Sequence, residues 1–260
     1  MRSMAGKFEY LYGPVSSWRI GSSLGIDLLS QKENICSFSC IYCQLGKTMV
    51  KDITRRVYIE QEEIIKELNA LSEMEIDYIT FSGRGEPTLA KNLGAVIKAV
   101  KKLRREPVAV LTNSSLMNRQ DVRDDLSYAD LVVAKLDASN QESLALVNRP
   151  CQGIEFEAIV AGIKEFKKHF QGKLALQIMF IKENAPYAGD IARIAESIHP
   201  HEIQINTPLR PCGVEPLGRE ELSKIKALFG GLNTISVYES RKKSVRPISD
   251  DATLKRRGKI

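Results

Sequence analysis

The sequence predicts an α/β fold built on a parallel sheet, and two observations carry that prediction. Strand-like and helix-like segments alternate through six successive units. The strand segments are near-continuous runs rich in Val, Ile and Leu, the pattern of strands covered on both faces. A third observation marks one place in this fold. Residues 30–57 interrupt the alternation and hold three of the chain's five cysteines.

The elements follow in order. "SLGIDLL" (23–29) reads as a short buried strand, and "EQEEIIKELNAL" (60–71) has apolar residues at helical spacing. "DYITFS" (77–82) is a strand and "LAKNLGAVIKAVKKL" (89–103) a helix. "VAVLTN" (108–113) is a strand followed by a short helix over 119–126. "DLVVAKLD" (130–137) is a strand, with helices over 140–147 and 155–169. "KLALQIMFI" (173–181), "EIQINT" (202–207) and "TISVYE" (234–239) are further strands, separated by helices over 187–198 and 218–229. Such alternation implies right-handed crossovers. Six units fall short of the eight in a closed barrel, so an open doubly wound sheet and a curved, incomplete barrel both satisfy the pattern.

Composition narrows the class. An apolar fraction of 43% and a charged fraction of 27% over 260 residues are those of a soluble globular protein. No apolar run approaches the roughly 18 residues of a membrane span. The opening "MRSMAGKFEYLYGP" has no apolar signal region, so a cytoplasmic protein is expected. The net charge is +6, and the last twenty residues hold eight Lys or Arg. Such a tail suits phosphate contacts or a solvated, partly disordered terminus.

Loops after strand C-termini carry the active sites of parallel α/β folds, and the interrupting segment is such a loop. In it "CSFSCIYC" places Cys36, Cys40 and Cys43 at a C-x3-C-x2-C spacing. An odd cysteine count and this crowding fit a metal site in a reducing compartment better than a disulfide framework. Structural zinc wants four ligands, and the only histidines are His169, His199 and His201; Cys151 and Cys212 are far along the chain. A [4Fe–4S] cube normally takes four thiolates, so three would leave one iron open to a small molecule. The next strand ends in "TFSGRGEPTL" (80–89), where Gly83 and Gly85 permit close backbone approach and Glu86 adds a carboxylate. A dinucleotide fingerprint would need Gly where Thr88 stands, and "GKT" (46–48) lacks the P-loop glycine because position 41 is Ile.

Together the two motifs resemble the radical S-adenosylmethionine (SAM) superfamily. "YGPVSSWRIGSSLGIDLL", "SGRGEPTL", "LDAS", "NRP" and "NTPLRP" are similar to a narrower group, stand-alone iron–sulfur oxidoreductases distantly related to tRNA-wybutosine synthesis enzymes; the likeness spans about residues 10–220. The resemblance implies the incomplete barrel, a partial (βα)6 barrel. Residues 1–230 would form the radical SAM core, and 231–260 a last strand and basic tail. It implies one [4Fe–4S] cluster on Cys36, Cys40 and Cys43, with SAM on the open iron. An electron from the cluster would cleave SAM to methionine and a 5′-deoxyadenosyl radical, which abstracts hydrogen from a substrate.

Residue roles follow from the same resemblance. Tyr42 would pack near the adenine, and Gly83, Gly85 and Glu86 would hold the SAM ammonium. Asn113 and Asp137 would meet the ribose or carboxylate, and Lys135 the carboxylate or a substrate; helix capping is the alternative for Asn113 and Asp137. The glycine-rich motif that the family carries near the fifth strand is not evident in "IMFIKENAP". Trp18 stands where the narrower group often has a second Arg, and Cys212 where it has Pro. Cys212, at the mouth after the sixth strand, is the candidate catalytic hydrogen-atom donor, with an inert small hydrophobe as its alternative. A flavodoxin domain like that of some wybutosine enzymes is absent, which implies an external flavodoxin- or ferredoxin-like electron donor. The substrate class is left open by the sequence: tRNA or other RNA fits the basic tail and the distant wybutosine kinship. The alternatives are a peptide or protein, including a glycyl-radical enzyme to be activated, and a non-enzymatic iron–sulfur or zinc module that binds RNA.

Overall fold

The computed structural model describes residues 8–240 and 243–258; Arg241, Lys242 and Lys259 of the basic tail lie outside the described residues. The chain opens with a hairpin, β1 (Leu11–Ser17) and β2 (Gly21–Ile26), paired antiparallel with Leu11 opposite Ile26. Periodicity does not reveal β1, because Gly13 and Pro14 interrupt it; an edge strand tolerates both. Two short strands, β3 (Ile35–Cys36) and β4 (Val50–Lys51), form their own parallel ladder inside the long interrupting segment.

The remaining elements are those the periodicity predicts, with shorter bounds. They run α1 (Gln61–Asn69), β5 (Tyr78–Phe81), α2 (Leu93–Leu103), β6 (Val108–Thr112), α3 (Gln120–Leu126), β7 (Leu131–Lys135), α4 (Gln141–Val147) and α5 (Phe156–His169). Then come β8 (Lys173–Met179), α6 (Ala188–Ile198), β9 (Glu202–Asn206), α7 (Arg219–Ala227) and β10 (Thr234–Ser236). The strand order is β1-β2-β5-β6-β7-β8-β9-β10, and every pairing from β2 onward is parallel. The sheet curls into a half-barrel whose six βα units are those expected of an incomplete barrel. No helix among the described residues is long and apolar enough to cross a membrane.

Successive strand residues alternate between the two faces, and the faces differ. The convex side carries Leu24, Ile26, Ile79, Phe81, Val108 and Val110 among its buried residues, all in the main core with the helices. The concave side has a separate small cluster of Ile20, Ala109, Leu131, Val133 and Ala175. Elsewhere that face is polar: the Ser23 and Thr80 hydroxyls lie 2.7 Å apart, and Gln177, Gln204 and Asn206 are buried. The concave face is therefore partly polar.

The end of the chain folds back. α8 (Asp250–Arg257) starts at Ser249, whose hydroxyl accepts from Ala252 N at 3.1 Å, and has acidic residues in its first turn and basic ones in its last. It packs on β1, with Gly13 N donating to Thr253 Oγ1 at 3.0 Å. Arg256 buries its guanidinium against Asp27, Nε to Oδ2 3.0 Å, and also reaches the Glu9 carbonyl and Ser30 hydroxyl. Burial pushes the Asp27 carboxyl above its ordinary range, and Arg256 is the largest opposing influence. Residues 250–257 of the basic tail are thus a docked helix.

Candidate active site

Parallel strands place all their C-termini at one end of the half-barrel, and the cysteine loop runs across that end. Its first anchor is the second motif. Ile35 bridges to Gly85 in parallel fashion, and Glu86 N donates to Ile35 O at 3.3 Å. A Cβ on Gly85 would stand 1.7 Å from that same carbonyl oxygen, so only glycine permits this approach. Gly83 has φ +150°, and a Cβ there would meet the Asp27 carboxyl carbon at 2.3 Å. The replacement Gly85→Ala is therefore expected to push β3 and Cys36 off the motif, at a cost of about 1–3 kcal/mol. It should lower both the melting temperature and the iron taken up on reconstitution. Wild-type values for both would show that the loop does not depend on this contact.

Glu86 ties two strand ends together. Its buried carboxylate accepts from Thr88 N (3.1 Å), Thr88 Oγ1 (2.7 Å), Thr112 Oγ1 (2.7 Å) and Asn113 N (2.6 Å). Burial pushes this carboxyl up, and the hydrogen bonds oppose the shift. Asn113 continues the chain of contacts: Nδ2 donates to Ser37 Oγ at 2.8 Å and lies 3.6 Å from Cys36 Sγ, while Oδ1 accepts from Ser115 N.

A second buried network holds the other side of the loop. Tyr42 donates its hydroxyl to Asp137 and accepts from Lys135 Nζ at 3.1 Å, whose ammonium lies 4.6 Å from the tyrosine ring centre. Asp137 is fully buried, with Oδ1 accepting from Met179 N at 2.7 Å, and Lys135 Nζ stands 3.7 Å from Oδ2. Burial and the Asp137 charge push the Tyr42 phenol well up, so it stays a donor. Asn148 Nδ2 completes the group, 3.3 Å from Cys40 Sγ, 3.0 Å from Tyr42 Oη and 3.1 Å from Asp137 Oδ2. The main chain around it pairs with the loop as well: Ile41 N donates to Val147 O, Ser39 N to Asn148 O, and Cys151 N to Ser37 O. The sequence reading does not place Asn148 in the site; its only trace there is the "NRP" triplet.

The three thiols share one partly buried region. Burial pushes all three above the ordinary thiol range, and the Glu86 charge adds to this at Cys36. Cys212, distant in sequence, packs with Val214 against the cluster of Tyr42, Val147, Met179 and Ile181, and its Sγ is 3.3 Å from Val214 O. The histidines sit elsewhere: His169 ends α5, while His199 and His201 precede β9 at the opposite end of the strands.

This donor set fits an iron–sulfur cube. It offers three sulfurs without imidazole, and amide N–H groups of Asn148 and Asn113 lie beside two of them, a contact that tunes such clusters. Among the described residues no three His, Cys, Asp or Glu side chains converge on a single ion. A cube asks for no such convergence, since each thiolate bonds a different iron.

Comparison with known proteins agrees with this geometry. Residues 33–198 match the radical SAM superfamily. A UPF0026 protein of Synechocystis sp. is 42% identical over 214 residues, 82% of this chain and 79% of that protein. A radical SAM methyltransferase from Sphaerobacter thermophilus superposes with a TM-score of 0.58 at 15% identity, over 83% of this chain and 66% of that one. Archaeal TYW1 does so with a TM-score of 0.56 at 16% identity, over 81% and 72%. The two structures share the fold, and the family brings with it a [4Fe–4S] cluster, SAM and enzymatic activity. The chain belongs to the radical SAM superfamily.

Proposed function

We propose that Cys36, Cys40 and Cys43 ligate a single [4Fe–4S] cluster and that the protein cleaves SAM to act on an RNA substrate. The observation that carries the first part is the docking of a three-thiol loop, through Gly85, onto the end of β5. When bound, the cluster supplies the electron that splits SAM into methionine and a 5′-deoxyadenosyl radical able to abstract hydrogen. The residues' work is to hold these parts. Main-chain acceptors around Gly83 and Gly85 suit the SAM ammonium, and Asn113, 3.6 Å from Cys36 Sγ, and Lys135, beside the Tyr42 hydroxyl, are the candidates for its remaining groups. Glu86, Tyr42 and Asp137 are further candidates, and each also fixes the segment around it through hydrogen bonds to protein groups. Cys212, which packs against the apolar cluster that contains Tyr42, is our candidate donor of a hydrogen atom to the substrate radical, and the thiyl radical left behind would take an electron from the external donor and a proton from solvent. Electrons come from an external donor. The net charge of +6 favours a polyanionic substrate.

The test is anaerobic reconstitution with iron and sulfide, then dithionite and SAM, with 5′-deoxyadenosine read by mass spectrometry. A brown protein that forms 5′-deoxyadenosine, faster when tRNA is added, is the expected result. A colourless protein that binds one zinc would overturn the assignment. Stimulation by peptides and not by tRNA would replace RNA with a peptide substrate.

A further inference from the structure

The loop that carries the thiols runs on into an exposed apolar surface. Of the ten exposed large apolar side chains among the described residues, four fall between positions 49 and 57: Met49, Val50, Ile53 and Val57. Met49 is the most open of the ten, at 65% exposure. Aliphatic side chains of this kind ordinarily turn inward. Here β4 pairs with β3 along one edge only, and both of its residues are exposed. The backbone beneath them is pinned. Met49 N donates to Asn34 Oδ1 at 3.0 Å, Thr48 Oγ1 to Phe38 O at 2.8 Å, and Asp52 N to Cys36 O at 3.2 Å. Further on, Arg56 N donates to Leu89 O at 3.1 Å, and Arg55 turns inward, with Nε 2.8 Å from Thr88 O. The exposed side chains thus stand on a fixed frame, and little loss of main-chain freedom opposes a partner that meets them.

Positive charge rims the apolar residues. Lys47, Lys51 and Arg149 are exposed, and Lys51 Nζ donates to Pro150 O at 3.3 Å, which brings the segment of Arg149 alongside. The ion pairs of this region, Arg55 with Asp121 and Asp125 and Arg56 with Asp52, leave those three cations without an acidic partner among the described residues. An apolar centre with a polar rim is the anatomy of a protein interface. Surfaces that bind single-stranded RNA add stacking aromatics, and residues 44–57 hold no Phe, Tyr or Trp. The sign of the rim selects an acidic protein. Position says what such a protein would do. Cys36 stands opposite Lys51 in the β3–β4 ladder, and neighbouring strands lie about 4.8 Å apart. A protein resting on β4 is therefore one strand away from the first thiol.

We propose that residues 47–57, with Arg149 beside them, dock an acidic one-electron carrier protein. The carrier is oxidised by one electron and the cluster on the three thiols is reduced by one; no bond forms and no proton moves. The electron's destination rests on reading Cys36, Cys40 and Cys43 as cluster ligands; the docking itself does not.

The test uses the anaerobically reconstituted protein and two acidic carriers, a flavodoxin and a [2Fe–2S] ferredoxin. Each is first titrated in its oxidised form by calorimetry, at low and at high salt. Saturable binding of at least one carrier is expected, weaker at high salt. It should weaken at least tenfold in both Met49→Asp and Lys51→Glu, and stay unchanged in Leu228→Asp, an exposed apolar residue ahead of β10. In the second arm, 5′-deoxyadenosine formation driven by the reduced carrier should fall at least tenfold in the two variants. Formation driven by dithionite should keep the wild-type rate, which also shows that the variants fold and hold their cluster. No binding of either carrier, or equal binding in the wild type and both variants, overturns the surface. Loss of tRNA binding in the two variants, with carrier binding unchanged, makes it an RNA face and overturns the carrier. A dimer of the wild type that both variants break, again with carrier binding unchanged, makes the occupant a second copy and overturns it too. Carrier binding without SAM cleavage under dithionite would sink the radical SAM site and leave the docking surface standing.

Discussion

Replacing Cys36, Cys40 or Cys43 by Ala singly is expected to bring 5′-deoxyadenosine formation down to background, while leaving the chain folded. The three thiols sit on different parts of the loop: Cys36 ends β3 against the second motif, while Cys40 and Cys43 form the turn in which Cys43 N donates to Cys40 O at 3.0 Å. No histidine stands at this end of the sheet, and the Cys212 thiol is engaged with Val214 O. Loss of one thiolate leaves the cube two protein ligands, so iron content should fall as well. The thiols are only partly buried, with Cys36 and Cys40 at the margin of the main core, so each variant should keep its far-ultraviolet circular dichroism. Cleavage of SAM at the wild-type rate in any one variant would remove that cysteine from the ligand set. The matching replacement Cys212→Ala separates the roles: it should leave cluster content and SAM cleavage intact and affect only the outcome on substrate.

The second large effect concerns stability. Arg256→Ala is expected to cost about 3–5 kcal/mol, because it strands the Asp27 carboxylate in a site with 1% side-chain exposure. For a chain of this size that is a drop in melting temperature on the order of 10 °C. The effect should spread toward the active end, since Asp27 Oδ1 accepts from Leu29 N at 3.1 Å and its carboxyl lies under Gly83. Thermal melts of Arg256→Ala beside Lys255→Ala, an exposed neighbour on the same helix, measure it. Equal melting temperatures would mean that α8 is only loosely attached to the body of the protein.

These two expectations differ in where they were visible. The cysteine loop and "SGRGEPTL" were readable because the chemistry of each is local: the three cysteines lie within eight residues, and Gly83, Gly85 and Glu86 within four. The strand and helix units were readable because burial on both sheet faces leaves long apolar runs. β1 was not, since its Gly13 and Pro14 are tolerated only through its edge position, which pairing decides. Asn148 was hidden because its partners, Cys40, Tyr42 and Asp137, come from two other segments of the chain.

The basic C-terminus shows the same division most clearly. Read along the chain, Arg256 and Arg257 are two adjacent cations in a run that suits phosphate or solvent equally. In the folded protein one turns inward to neutralise Asp27, while the other takes part in no ion pair among the described residues and accepts from Arg210 Nη1 through its main-chain oxygen at 2.7 Å. The sequence alone carried the sheet class, the thiol spacing and the glycines. Only tertiary structure could decide which charges are paired, because an ion pair depends on distance and burial, and neither is a property of chain order.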